Sequence, residues 1–211
     1  HTLWYLPSVA SCYAMQNLIK KNANSFFKDY EVIVCAGKRV GVGIKALEFV
    51  RKKMTNPIKT KSITLSCGKL CTGVTVKPWS GLFFLRNTST PETYFQTAFR
   101  IQSPWTIDSE NNISRKEILK KECYIFDFAP NRALKLITDY SCRLNYEQTS
   151  PVAKIQEFIK FLPVICFDGS SMFKTDAEAI LDFATTGTSG SQLAKAFESA
   201  RMIHVDDLTL R

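Results

Sequence analysis

Hydrophobic positions along the chain form short, nearly continuous runs, separated by segments in which apolar residues recur every three or four positions. The runs are rich in β-branched and aromatic residues, which predicts buried strands of the kind found in parallel sheets covered on both faces. Five such strands are predicted, at Thr2–Leu6, Glu31–Cys35, Ser62–Ser66, Gly81–Leu85 and Cys123–Phe128.

The segments between these strands have the spacing of amphipathic helices. Helices are predicted at Ser8–Lys21, Ala46–Met54 and Pro91–Ile101, each with one apolar stripe. Strands that alternate with helices indicate an open α/β sheet with right-handed crossovers. Such sheets bind ligands at the carboxyl ends of their strands, so the loops that follow the strands are the first candidates for a functional site.

The pattern changes after about residue 145. Helices without a parallel strand between them are predicted at Pro151–Leu162, Thr175–Ala184 and Ser191–Met202, and a polar, asparagine-rich surface loop is predicted at Asp108–Ser114. We therefore predict an α/β lobe at residues 1–145 and a helical extension at residues 146–211. Because the first residues already have the character of a buried strand, we expect the chain to be a fragment of a longer protein.

Composition narrows the function classes. Lys and Arg number 28 against 19 Asp and Glu, and the net charge of +9 favours a polyanionic partner, although a charge that serves solubility explains it equally well. No apolar run reaches the length of about 18 residues that a membrane span needs, so we expect no membrane partner and a cytoplasmic location. Seven cysteines in mostly apolar contexts indicate reduced, buried thiols, and Cys67–Cys71 lacks a second zinc-ligand pair, so no metal site is predicted.

Two stretches carry the candidate chemistry. The first, Cys71-Thr72-Gly73-Val74-Thr75, follows a predicted strand, and the second, Gln96-Thr97-Ala98-Phe99-Arg100-Ile101-Gln102-Ser103, lies on a predicted helix. Gln96 and Arg100 are four residues apart and share one helical face. In this order the stretches resemble motifs V and VI of superfamily-two helicases, Thr-x-Gly-x-Asp and Gln-x-x-Gly-Arg-x-x-Arg. They are similar above all to those of helicase subunits in bacterial restriction and phage-defence systems.

The resemblance implies that residues 1–145 form the second RecA-like lobe of an ATP-dependent helicase or translocase. Arg100 would be the arginine finger on the γ-phosphate, and Gln96 would help to sense the nucleotide. Gly73 and Thr75 would approach the bound ATP, whose Mg²⁺ would be held by the first RecA-like lobe. The implied partners are that first lobe and nucleic acid, with DNA preferred.

Residues expected to meet the nucleic-acid backbone are small or basic and follow predicted strands. Thr72 offers a hydroxyl and an N–H to a phosphate, and Lys69 adds charge beside it. Lys38 and Arg39 follow the second predicted strand, and a plain solvated loop explains those two equally well.

The chain departs from the helicase pattern at three positions. Thr75 replaces the aspartate of motif V, Phe99 replaces a glycine of motif VI, and Ser103 replaces the second arginine of motif VI. The sequence also contains no Gly-x-x-x-x-Gly-Lys-[Ser/Thr] phosphate loop, so the chain by itself is not expected to hydrolyse ATP.

Three alternatives belong to other classes. A non-catalytic α/β module that binds nucleic acid or a protein would explain the charge and the missing phosphate loop, but not the ordered pair of motifs. A nuclease would use Asp108, Glu110 and Lys116, which lie in a predicted loop rather than on a rigid sheet edge. A dinucleotide-type methyltransferase or dehydrogenase needs a glycine-rich turn after the first strand, where this chain has Leu6-Pro7-Ser8-Val9.

Overall fold

The computed structural model describes residues 1–71, 73–109, 112–144, 150–167 and 170–185. The chain divides into two compact units. The first unit comprises His1–Thr88 and Glu92–Phe128, and the second comprises Ser89–Pro91 and the described residues from Ala129 onward. In the part of the chain that is described, no helix is both long enough and apolar enough to cross a membrane.

The first unit is built on a parallel sheet. Its elements in chain order are β1 (Thr2–Tyr5), α1 (Val9–Ile19), β2 (Tyr30–Val34), α2 (Ile44–Met54), β3 (Lys61–Ser66), β4 (Gly81–Phe84), α3 (Pro91–Ala98), β5 (Thr106–Ser109), β6 (Asn112–Ile118) and β7 (Tyr124–Asp127). Five strands pair in parallel in the order β2-β3-β1-β4-β7. All five predicted strands are present to within two residues. The expected α/β fold with a parallel sheet flanked by helices is therefore confirmed, and it is consistent with a RecA-like lobe.

Local chemistry sets the ends of the helices. At the start of α1 the hydroxyl of Ser8 accepts a hydrogen bond from the Ser11 backbone N–H at 3.1 Å, and the Ser11 hydroxyl accepts from the Ser8 backbone N–H at 2.9 Å. At its other end, α2 stops at Thr55, whose φ of +54° cannot continue a right-handed helix. Both helices pack against β2 and β3.

The loop predicted at Asp108–Ser114 is wrong. β5 and β6 form an antiparallel hairpin, with a register shift between Asp108 and Ser109. The side chains described at its far end, at residues 116–118, are exposed. The hairpin is therefore held by cross-strand backbone hydrogen bonds rather than by apolar burial, which leaves little of the alternation that reveals a half-buried strand.

The second unit contains α4 (Pro130–Leu144), α5 (Pro151–Phe161), β8 (Ile165–Phe167), β9 (Met172–Lys174) and α6 (Ala177–Thr185). The three helices pack against one another around fully buried Ile155 and Ile180. The predicted helices at Pro151–Leu162 and Thr175–Ala184 are confirmed, and a short antiparallel hairpin, β8–β9, lies between them. The predicted helix at Ser191–Met202 and the predicted boundary at residue 145 lie outside the described residues.

Candidate functional site

Four cysteines lie at or near the carboxyl ends of β2 and β3. Burial is the main cause that raises the pKa of the Cys35 thiol to about 11 and the pKa values of Cys12 and Cys71 to about 12. Cys67, the fourth, is half-buried, and all seven cysteines of the chain are free. Thiols with raised pKa values stay protonated near neutral pH, so these three cysteines are packing residues rather than nucleophiles.

The turn after β3 contains the first candidate, Lys69. The Ser66 hydroxyl donates to the Lys69 carbonyl at 2.6 Å and accepts from the Gly68 N–H at 3.4 Å. Leu70 adopts a φ of +64°, a strained conformation for a residue with a side chain, and its side chain is buried. The Lys69 ammonium donates to the Gly41 carbonyl, which ties this turn to the loop that follows β2.

That second loop contains Lys38 and Arg39. They lie in a single 3-10 turn, Lys38–Val40, and both side chains are exposed. Because Gly41 follows this turn directly, the structure brings Lys38, Arg39 and Lys69 to one region at the carboxyl edge of the sheet. Thr72, the remaining nucleic-acid candidate, lies outside the described residues.

Arg86 is a residue at the same edge that sequence reasoning missed. Its Nη1 donates to the Tyr5 hydroxyl at 3.3 Å and to the Cys67 carbonyl at 3.2 Å, and its guanidinium carbon lies 4.9 Å from the centre of the Tyr5 ring. Burial is the largest cause that raises the pKa of Tyr5. Arg86 thus ties the ends of β1, β3 and β4 together. The one available signal was its position, two residues after a buried strand.

Arg100, the candidate arginine finger, lies in a 3-10 turn, Phe99–Ile101, that continues α3. Its Nε donates to the Gln96 carbonyl and its Nη1 donates to the Val74 carbonyl, each at 3.1 Å. Gly73, with a φ of +71°, and Thr75 flank Val74. The structure therefore brings Arg100 and Gln96 against the segment that contains both predicted nucleotide-binding residues.

Lys120 shows where this second cluster lies. Its Nζ donates to the carbonyls of Lys77 and Trp79 at 2.9 Å and of Ile101 at 2.6 Å. Lys77 and Trp79 precede β4 and Lys120 precedes β7, so the end of α3 lies near the amino edge of the sheet. The predicted site residues consequently form two clusters, Lys38, Arg39 and Lys69 at the carboxyl edge, and Arg100, Gln96, Gly73 and Thr75 beside the end of α3.

Replacing Lys120 should loosen the second cluster. Burial lowers the pKa of its ammonium, which is nevertheless held by three carbonyls. Lys120→Met removes these charge-assisted bonds, and we expect the free energy of unfolding to fall by about 1.5–3 kcal/mol. Urea denaturation of the full chain measures this, with Lys121→Met as the matched control because Lys121 is adjacent and exposed. Equal stabilities for the two variants would contradict the assignment.

The residues of the nuclease alternative lie on the β5–β6 hairpin. Asp108 pairs directly with Lys116 across the two strands, and both side chains are exposed, whereas Glu110 lies outside the described residues. Among the described residues, no group of three or more His, Cys, Asp or Glu side chains could hold a metal ion. Nothing in this hairpin therefore favours metal-dependent cleavage.

Comparison with known proteins gives one informative similarity. Over 182 residues, or 85% of its length, the chain is 34% identical to a Mycoplasma pneumoniae protein named "putative type II restriction enzyme and methyltransferase C-terminus". The chain spans about a quarter of that protein, 24% of its length. No family model and no solved structure matches the chain. The similarity agrees with the expected link to bacterial restriction systems, and its name does not mention a helicase.

Proposed function

We propose that this chain is the C-terminal, RecA-like motor lobe of an ATP-dependent helicase or translocase that works in a bacterial restriction system. The observation that carries the proposal is the bond from Arg100 to the Val74 carbonyl. It joins the two stretches that resemble motifs V and VI, which lie 26 residues apart in the sequence. The relative named for restriction and methylation supports the same kind of system.

The donor chemistry of the second cluster fits a nucleotide phosphate. A guanidinium has five N–H donors, and the bonds to Gln96 and Val74 hold Nε and Nη1 while other donors remain for phosphate oxygens. ATP would supply the phosphoryl group that is transferred to water. In this chain Arg100 would stabilise charge on that group and Gln96 would position it, whereas a first RecA-like lobe would hold Mg²⁺.

The carboxyl-edge cluster is the proposed contact with the nucleic-acid backbone. Lys38 and Arg39 are exposed, and the anchoring of Lys69 to Gly41 holds the two basic loops together. Cations at this edge attract phosphates of any sequence, so the expected binding is weak, non-specific and strongly dependent on salt. DNA is the partner that a restriction system implies.

The proposal is tested by comparing the full chain with the intact protein. The 211-residue chain should bind DNA with an affinity that falls steeply as salt rises, and should release no phosphate from ATP because it has no phosphate loop. The intact protein should hydrolyse ATP faster when DNA is added. Phosphate release by the chain alone, or an intact protein whose hydrolysis ignores DNA, would contradict the motor assignment.

The competing proposal is a non-catalytic α/β module that binds nucleic acid. The net charge of +9 favours it as much as it favours the motor lobe. The two differ in the Arg100 cluster, which a binding module does not need. An intact protein without any ATP hydrolysis, but with salt-dependent DNA binding that is lost in a Lys38→Ala/Arg39→Ala variant, would favour the module.

A further inference from the structure

One face of the parallel sheet has a feature that neither cluster uses. In a parallel sheet, residues paired in register point to the same side. Trp4 of β1 pairs with Phe83 of β4, which pairs with Phe126 of β7, so three aromatic side chains form a row across adjacent strands. The ring centres of Trp4 and Phe83 lie 5.1 Å apart, and those of Phe83 and Phe126 lie 4.6 Å apart.

The two halves of this face differ in covering and in chemistry. Over β2 and β3 the face is aliphatic, with Val32, Ile63 and Leu65 buried in a core to which α1 contributes Cys12 and Ile19. Over β4 and β7 the large side chains are all aromatic and reach the surface. Phe126 is 38% exposed, Tyr124 is 50% exposed and Phe128, stacked at 6.3 Å from Phe83, is 67% exposed.

Charge on this face is positive. Lys61 is the one charged side chain that the five described strands place here, and its Nζ lies 5.7 Å from the centre of the Tyr30 ring. Glu122, just before β7, accepts a hydrogen bond from the Tyr124 hydroxyl, and exposed Lys121 is adjacent to it. The rest of the strand surface has no carboxylate to repel a phosphate backbone.

From this combination we infer that the aromatic half of the sheet face binds single-stranded nucleic acid, with bases stacked on the Trp4–Phe83–Phe126 row and the backbone near Lys61. Aromatic rings on a sheet are a general means of stacking unpaired bases, and every base has a π face, so the binding would tolerate any sequence. An apolar protein partner would be served as well by aliphatic residues, which this half of the face lacks. The inference does not depend on ATP-driven movement.

The test measures fluorescence anisotropy of a labelled oligothymidine with the full chain and substitutes the most accessible ring of the row. Phe126→Leu keeps an apolar side chain but removes the π face, and we expect the dissociation constant to rise about 5- to 150-fold. Phe126→Tyr keeps the ring and should bind like the unchanged chain. Lys61→Ala should lower the slope of log affinity against log salt by about 0.7, the value for one phosphate contact on a single strand.

A Lys38→Ala/Arg39→Ala variant separates this site from the carboxyl-edge cluster. If that variant loses all binding to the oligonucleotide while Phe126→Leu loses none, the inference is wrong and the proposed function is unaffected. Equal weakening by Phe126→Leu and Phe126→Tyr, or no binding by the unchanged chain, would also overturn it. Thermal melts check folding. Photocrosslinking of a bromodeoxyuridine oligonucleotide to the unchanged chain should map to Trp4, Phe83 or Phe126, and crosslinks confined to other residues would refute the inference.

Discussion

Replacing Arg100 with alanine should lower DNA-stimulated ATP hydrolysis by the intact protein by about 10³-fold or more. An arginine finger contributes about 10³–10⁵ to turnover in phosphoryl transfer because it neutralises charge on the transferred group, which corresponds to roughly 4–7 kcal/mol of transition-state stabilisation. DNA binding should change little, since Arg100 lies beside the end of α3 and the predicted DNA contacts lie at the carboxyl edge. Steady-state phosphate release and DNA binding, measured on the same preparations, test both parts.

Arg100 also has bonds within the protein that the experiment must separate from a catalytic role. Its donations to the Gln96 and Val74 carbonyls each contribute to stability, so the alanine variant is compared with the unchanged protein by thermal melt. Arg51→Ala is the matched control. Arg51 lies on α2 and its Nη2 donates to the Thr75 carbonyl at 3.5 Å, so this variant removes an arginine from the same segment without touching the predicted finger.

The conservative variant sharpens the result. Arg100→Lys keeps a positive charge but replaces the planar fork of donors by a single ammonium, so we expect little recovery of hydrolysis. A well-folded Arg100→Ala protein that keeps more than about a tenth of the hydrolysis rate would show that Arg100 is not the finger. Equal losses in Arg51→Ala and Arg100→Ala would assign both residues to the loop's structure rather than to the reaction.

The parallel sheet could be predicted from the sequence because burial on both faces leaves a direct mark on composition. Ile63, Leu65 and Leu82 belong to apolar runs of strand length, and each is almost completely buried. The β5–β6 hairpin leaves no such mark, because its stability comes from cross-strand hydrogen bonds that any sequence can make. Polar side chains at Asp108–Ser114 were therefore interpreted as a loop.

The candidate site was predictable only as far as motifs identify residue types. Arg100 and Gln96 could be selected from their order and spacing, and the roles of all site residues stay predictions. Their surroundings depend on contacts between distant segments. The approach of Arg100 to Val74, of Lys120 to three carbonyls and of Arg86 to Tyr5 spans 19 to 81 residues of sequence. No local pattern reports such contacts, and both Arg86 and Lys120 were missed for this reason.

Trp79 should be the most sensitive position for stability in the first unit. It is the largest of the fully buried side chains, with 0% of its surface exposed, and it lies between the segment that holds Val74 and the start of β4. Trp79→Ala leaves a cavity in a packed core and should lower the free energy of unfolding by about 3–5 kcal/mol. That is a large part of the roughly 5–15 kcal/mol that holds a typical domain folded. Trp105→Ala, at a half-buried tryptophan, should cost clearly less.

A hydrogen bond accounts for part of the effect and can be isolated. The Trp79 indole Nε1 donates to the Thr64 hydroxyl at 3.3 Å, and Thr64 is completely buried in β3. Trp79→Phe leaves that hydroxyl without its donor, and Thr64→Val leaves the indole without its acceptor, so each should cost about 1–3 kcal/mol. In the double variant neither group is left unpaired, so the combined loss should be smaller than the sum of the two single losses. Additive losses in urea denaturation would mean that the hydrogen bond contributes nothing and that Trp79 stabilises the lobe by packing alone.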